Sequence, residues 1–239
     1  MSATQLTVAL TAADIANPGT LNIAVNNPAP GGGTSAALPF TVLANTTAPV
    51  TTISGADTAW HNTPVVLTVT ATDSQSGVQK TQWGIGTVPP WTTLSGTTIT
   101  VPAPADNSGD GVKVVSAFST DNCNTAENPP VTATVNVDTE GPTTAAMCNG
   151  SVKRGKYFQL GYRADDDLSP TCAIVLKITK SNGASAKTFT LGQKPSNVKG
   201  NYQFKCNLAK GKKYKYSVYA TDLAGNTQTA IGSKSFKVK

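Results

Sequence analysis

One stretch constrains this chain more than any other, and it occurs twice. Gly211 to Asn226 reads GKKYKYSVYATDLAGN, and Gly111 to Asn124 reads GVKVVSAFSTDNCN. In the later copy Tyr214, Tyr216, Val218 and Ala220 alternate with Lys213, Lys215, Ser217 and Tyr219, the period of two that marks a half-buried strand. Thr221-Asp222 closes that strand and Ala224-Gly225-Asn226 turns the chain, Asp and Asn bonding nearby backbone and Gly supplying positive φ. Thr120-Asp121 holds the equivalent place 101 residues earlier. A linker recurs as well: Thr46-Thr47-Ala48-Pro49-Val50-Thr51-Thr52 and Asp138-Thr139-Glu140-Gly141-Pro142-Thr143-Thr144 place Pro49 and Pro142 93 residues apart. Proline at such a junction removes a backbone donor and stiffens the start of the first strand. Linker and strand-turn recurring together imply modules in tandem.

Composition agrees. A chain of 239 residues suits two sandwich-sized domains, and 38% hydrophobic with 13% charged residues describes strands and turns. The best helical candidates, Ala12–Ile15 and Leu208–Lys210, are shorter than a stable helix needs. The chain therefore reads as all-β, in three parts: a partial module over residues 1–45, a sandwich over 46–140 and a basic sandwich over 141–239. In the first part Thr7–Leu10, Leu21–Val25 and Leu38–Val42 read as strands. The middle module predicts about seven, including Pro64–Ala71, Val78–Ile85, Trp91–Leu94, Thr97–Val101, Val112–Ser119 and Val131–Val137. The last predicts Tyr157–Ala164, Ala173–Lys180, Lys187–Leu191, Tyr202–Leu208, Tyr214–Thr221 and Ser235–Lys239, with a hairpin at Asn182-Gly183.

Particular motifs carry family resemblances. Asn17-Pro18-Gly19, the turn Asn26-Asn27-Pro28-Ala29-Pro30-Gly31-Gly32, Thr34-Ser35 and the closing Phe40-Thr41-Val42 resemble the C-terminal half of an IPT/TIG-type immunoglobulin-like domain. Half a module lacks partner strands, so the resemblance implies exposed sheet edges. Gly55 to Asn62 before Pro64, Ala71-Thr72-Asp73 before Ser76-Gly77-Val78, Asp110-Gly111, and Asp222-Leu223-Ala224-Gly225-Asn226 resemble bacterial Ig-like repeats of large secreted and surface proteins. Asp121-Asn122-Cys123-Asn124 departs from the Asp-x-Ala-Gly-Asn form. The resemblance implies tandem immunoglobulin-like or fibronectin-like β-sandwiches, an extracellular or cell-surface location, and origin as a fragment of a larger protein. Sandwich folds carry many unrelated functions, so function has to come from particular residues.

Charge divides unevenly. Residues 1–140 carry two lysines against nine acids, a net of −7, whereas residues 141–239 carry seventeen Lys and Arg against four acids, a net of +13. A basic half points to a polyanionic partner. The lysines are spread over nearly every strand, with a single basic-aromatic cluster and no nucleic-acid motif, which favours an anionic cell-envelope polymer or polysaccharide over nucleic acid. Lys212, Lys213, Lys215, Tyr214 and Tyr216 form that cluster. There is no apolar run of membrane-spanning length, which argues against membrane insertion.

Four other groups were weighed for chemistry. Asp165-Asp166-Asp167 is the densest acidic cluster and the weak candidate for a metal, calcium, held through carboxylate oxygens; no other cofactor is implied. Adjacent side chains on an extended segment point to opposite faces, so all three converge only in a tight turn, and a solvated loop is the plainer reading. Trp91, after Pro89-Pro90, is the best ring for stacking on sugar, against the core-packing reading that suits most aromatics. His61 with Ser54 or Asp57 lacks a nucleophile elbow, so no catalytic residues are assigned and the chain reads as no enzyme. Among the cysteines 123, 148, 172 and 206, Cys148 and Cys206 are the favoured disulfide if they fall at one end of a sandwich.

The expected role is that of non-catalytic extracellular spacer and adhesion modules, attached to other domains of a parent protein, with the basic module binding anionic polymer. The alternative is an accessory carbohydrate-binding module of a secreted glycoside-active enzyme, carried by Trp91 or the tyrosines.

Overall fold

The computed structural model describes residues 5–148 and 150–239, and the described residues contain strands and turns but no helix. The first part is a ribbon. Strand β1 (Gly19–Ile23) pairs antiparallel with β4 (Leu38–Val42), Leu21 opposite Phe40, while β2 (Asn26–Asn27) and β3 (Gly33–Thr34) form a short hairpin between them. A two-stranded ribbon has no second layer to cover either face. Leu6, Leu38 and Leu43 accordingly stand in solvent, and Phe40 is largely exposed. Thr7–Leu10, expected as a strand, runs without a ladder partner and forms none.

The middle module comprises β5 (Val50–Ser54), β6 (Trp60–His61), β7 (Val65–Thr72), β8 (Val78–Ile85), β9 (Thr92–Thr93), β10 (Thr98–Val101), β11 (Gly111–Asp121) and β12 (Val131–Val137). Sheet order is β10-β7-β5 on one layer and β6-β12-β11-β8-β9 on the other; all pairings are antiparallel except β6 with β12. In β7 the alternation predicted from sequence is realised: Val65, Leu67 and Val69 are buried while Val66 faces solvent. They meet Ile99, Val101, Val115, Ala117, Val135 and Val137 between the layers. The second half of the segment read as linker is already strand: β5 starts at Val50, where Thr51 enters the core and its hydroxyl bonds that of Ser119 at 2.8 Å.

The last module repeats this plan strand for strand: β13 (Thr143–Ala146), β14 (Gly150–Val152), β15 (Tyr157–Asp165), β16 (Thr171–Lys180), β17 (Ser185–Pro195), β18 (Gly200–Lys205), β19 (Lys213–Thr221) and β20 (Gly232–Val238). Its layers are β13-β15-β18 and β14-β20-β19-β16-β17, and the one parallel pair is again the short second strand with the last, β14 with β20. The fold is therefore a tandem of β-sandwiches, preceded by the ribbon. The Asn182-Gly183 turn joins β16 to β17 as expected, with Gly183 at φ 83° and its N–H donating to the Lys180 carbonyl at 2.9 Å.

Each sandwich has its own core, and the larger one lies in the last module around Leu160, Ile174, Leu176, Ile178, Tyr216 and Phe236. Truncating one of these side chains leaves a cavity in one module only. Leu176→Ala should cost about 2–5 kcal/mol. In hydrogen exchange it should accelerate β15, β16 and β19 while β7 and β11 keep their protection; uniform acceleration of both modules would contradict separate cores.

Candidate functional site

The best-defined polar site lies where the linker enters the last module. Asp138 follows the last residue of β12 and is fully buried. Its N–H donates to the His61 carbonyl at 3.0 Å, its Oδ2 accepts the Ser169 hydroxyl at 3.2 Å, and its carbonyl accepts Asn226 Nδ2 at 2.8 Å. Asp166 follows β15, and its Oδ1 closes the β15–β16 turn by accepting the N–H groups of Leu168 at 3.1 Å and Ser169 at 2.6 Å. Asp222 follows β19; its Oδ1 accepts the Asn226 N–H and its Oδ2 the Asn226 Nδ2, both at 2.8 Å. Strand ends thus aim three carboxylates at one point, and an oxygen from each lies within 4.8 Å of the others.

Two of those groups are incompletely satisfied. Asp138 Oδ1 and Asp166 Oδ2 are buried with no hydrogen-bond partner. The ion pairs among the described residues, His61–Asp57 and Arg163–Asp165, involve none of the three. Burial, reinforced by the Asp222, Asp166 and Asp110 carboxylates, pushes the Asp138 carboxyl up to about 6 against the opposing Ser169 hydrogen bond. Burial also raises Asp166, where the Ser169 and Leu168 N–H groups oppose it and the Asp222 and Asp167 carboxylates add to it. The adjacent Cys172 thiol is pushed up to about 12 by its burial and then by the same three carboxylates.

The preceding junction has the same frame with different chemistry. Asn45 precedes Pro49 by the spacing that separates Asp138 from Pro142, and Asp73 and Asp121 close the turns after β7 and β11. Asp73 Oδ1 accepts the N–H groups of Gln75, Ser76 and Gly77 at 3.1, 2.6 and 2.8 Å; Asp121 Oδ1 accepts those of Cys123 and Thr125 at 2.8 and 2.7 Å. Here Asn45 Nδ2 donates to Asp121 Oδ2, and to the Thr125 hydroxyl at 2.9 Å. Burial pushes the Asp121 carboxyl up, but the Thr125 N–H, the Asn45 amide and further donors outweigh it and hold the group below its ordinary value.

Of the acidic cluster singled out from sequence, only Asp166 takes part. Asp165 turns to Arg163, whose Nε lies 2.5 Å away, and Asp167 stands in solvent, as alternation along an extended segment requires. Asp138 and Asp222 went unrecognised because one lies in a linker and the other serves as a turn-closing residue. The usable signal was the recurrence of an acid at the ends of β7, β11, β12, β15 and β19.

Among the basic-aromatic cluster, Lys212, Lys213 and Lys215 are exposed, but Tyr214 and Tyr216 are core residues. Tyr216 is 0% exposed, and its hydroxyl donates to the Gly161 carbonyl at 3.0 Å and accepts the Cys148 N–H at 2.8 Å. These rings offer no face to a ligand, because alternation that exposes the lysines buries the tyrosines. The lysines belong to the far end of the module: β19 runs from Lys213 to Thr221, roughly 30 Å at strand rise. Lys153, Arg154, Lys210, Lys237 and Lys239 line an open groove at that same end, of about 650 Å³. Trp91 is half-buried, edge-on to Phe118 at 5.4 Å and so close to Gly84 that a Cβ there would stand 3.1 Å from its ring.

All four cysteines are free thiols, so the Cys148–Cys206 bond does not form. Met147, next to Cys148, hydrogen-bonds Gly161 in β15, whereas Cys206 bonds Lys156, which leads into that strand. Five residues of strand separate those partners, roughly 16 Å, against the roughly 7 Å that a disulfide tolerates between Cα atoms.

No protein-family model matches the chain, and no curated protein matches it in sequence. Among solved structures it is similar to a crystal structure of a tetra-tandem repeat in the extending region of a large adhesion protein, at 18% identity and a TM-score of 0.37. That alignment covers 92% of this chain and 57% of the other, so the chain spans little more than half of the structure it matches.

The unpaired charge at Asp138 has a measurable sign. A carboxyl that holds its proton more tightly when folded makes stability fall as pH rises from about 4 to about 6. In chelating buffer at pH 7.5, Asp138→Asn should therefore stabilise the fold by about 1–3 kcal/mol, the cost of a buried charge left without a partner, and raise the melting temperature accordingly. At pH 4.5 the gain should shrink. A loss of stability at pH 7.5 would show that the ionised carboxylate is instead satisfied by the chain alone.

Proposed function

We propose that the chain forms spacer modules of a secreted or surface bacterial protein, a non-catalytic arm whose basic last module attaches to anionic cell-envelope polymer. The observation that carries the spacer reading is the double anchoring of the linker. Thr139 bonds back into the middle module, its N–H to Asp110 Oδ2 at 2.9 Å and its hydroxyl to Asp110 Oδ1 at 2.8 Å and the Pro104 carbonyl at 3.0 Å. One residue away, Asp138 bonds forward to Ser169 and Asn226 of the last module. A linker tied on both sides resists bending, which suits an arm that holds another domain away from a surface.

The attachment reading rests on the +13 charge of residues 141–239 and on the gathering of Lys153, Arg154, Lys210, Lys237 and Lys239 around one groove. Charges on such an exposed end act through water and are screened over about 8–10 Å at physiological salt. The carbohydrate-binding alternative drew on Trp91 and the tyrosines of the last module; Tyr214 and Tyr216 are core residues and Trp91 is half-buried against Phe118, while Tyr157 stands exposed.

The whole chain should be retained on heparin or a teichoic-acid-like polymer at low salt and released near physiological ionic strength. Replacing Lys212, Lys213 and Lys215 together by Ala should move elution to lower salt. A chain that passes through at low salt loses the polymer partner and leaves the spacer alone.

A further inference from the structure

We propose that Asp138, Asp166 and Asp222 form a calcium site that ties the linker to the last module, and that the preceding junction does the same work without an ion, through the side-chain amide of Asn45. The inference goes beyond the spacer reading and stands whether or not the basic end binds polymer.

Three observations converge on an ion. Oxygens of the three carboxylates lie within 4.8 Å of one another. Two oxygens that share one calcium at 2.3–2.6 Å can be at most about 5 Å apart, so the present spacing already fits a common ion. Asp138 and Asp166, 0% and 8% exposed, each keep one carboxylate oxygen without a hydrogen-bond donor. Buried carboxylate oxygens are ordinarily paired, by donors or by a metal. Every other lone pair of the cluster that the turns use is accounted for by Ser169, Leu168 and Asn226. What remains free points to a positive charge that the chain does not supply.

The repeat provides an internal comparison. Both junctions use an acid after the third strand of the module, Asp73 or Asp166, and an acid at the end of the seventh, Asp121 or Asp222. Among these three positions only the linker residue differs in charge; Asp73 Oδ2, the counterpart of Asp166 Oδ2, is likewise buried without a partner, so the contrast lies between Asn45 and Asp138. Asn45 brings an N–H donor to Asp121, where the corresponding Asp138 can bring only a third negative charge beside Asp222. An amide donor and a bridging cation are alternative ways of joining a linker side chain to the carboxylate at the end of that strand. The first junction shows the donor, and the second has the donor set of a cation.

The donors also select the ion. All are oxygens, hard ligands that suit calcium or magnesium rather than zinc. Magnesium demands oxygens at 2.0–2.1 Å in a strict octahedron, whereas calcium accepts a looser cage completed by water. With one ligand from the linker and two from loops of the last module, the ion would lock the segment that Thr139 already fastens to the middle module.

Calcium titration of the whole chain in chelator-treated buffer should find one ion per chain, with an equal concentration of magnesium failing to displace it. Asp138→Asn, which gives the second junction the chemistry of the first, should fold and bind calcium at least tenfold more weakly. Asn45→Asp should raise the stoichiometry from one to two. Calcium should raise the melting temperature of the parent chain and leave that of Asp138→Asn unmoved. The proposal is overturned if the parent chain binds no calcium at 10 mM, if zinc binds in preference, if Asp138→Asn binds as tightly as the parent, or if Asn45→Asp still takes one ion.

Discussion

Everything at the junctions depends on an aspartate whose two oxygens do different jobs. One oxygen closes a turn by accepting backbone N–H groups: Asp73 for Gln75 to Gly77, Asp121 for Cys123 and Thr125, Asp166 for Leu168 and Ser169, Asp222 for Asn226. These bonds fix the loops at one end of each sandwich, and in doing so they fix where the second oxygen points. At Asp121 the second oxygen accepts the amide of the linker residue Asn45, at Asp222 it accepts the Asn226 side-chain amide, and at Asp73 and Asp166 it is buried without a partner. A residue type favoured in turns for its local bonding thereby becomes the surface on which the previous module is received.

The two sandwiches are alike in topology but not in electrostatics. The last module presents the three carboxylates to its neighbour, and five of its basic residues, Lys153, Arg154, Lys210, Lys237 and Lys239, gather at the opposite end, the others being spread along its strands. The acidic end faces the neighbouring module, and the basic groove faces away from it.

The architecture was legible because strands announce themselves locally. Alternation in Pro64–Ala71 and Tyr214–Thr221, and the recurrence of the strand-turn and the proline linker, required only the period of the pleat and the chemistry of turns. The same alternation, followed one step further, would have placed Tyr214 and Tyr216 inside when the lysines between them were assigned outside. The site was less legible because its members lie far apart in sequence. Asp138, Asp166 and Asp222 meet through the return of β19 beside β16, whereas Asp165, Asp166 and Asp167 line one cavity with Glu140 and only Asp166 of them reaches that cluster. The cysteines failed for a related reason: sharing an end of the sandwich was inferred from strand order, whereas their offset along β15 decides the distance. The ribbon over residues 19–42 paired as its sequence suggests, but Thr7–Leu10 shows that a strand pattern without a neighbour does not make a strand.

The central claim is that an ion at Asp138, Asp166 and Asp222 couples the last module to the linker, while Asn45 makes the earlier junction indifferent to it. Backbone 15N relaxation of the whole chain, recorded in calcium and again in excess chelator, tests this most directly. In calcium the middle and last modules should tumble with one correlation time, and chelation should separate the last module's value from the middle module's while leaving Asn45 and its neighbours unchanged. Identical relaxation in the two buffers, or a change centred on Asn45 instead of Asp138, would contradict it.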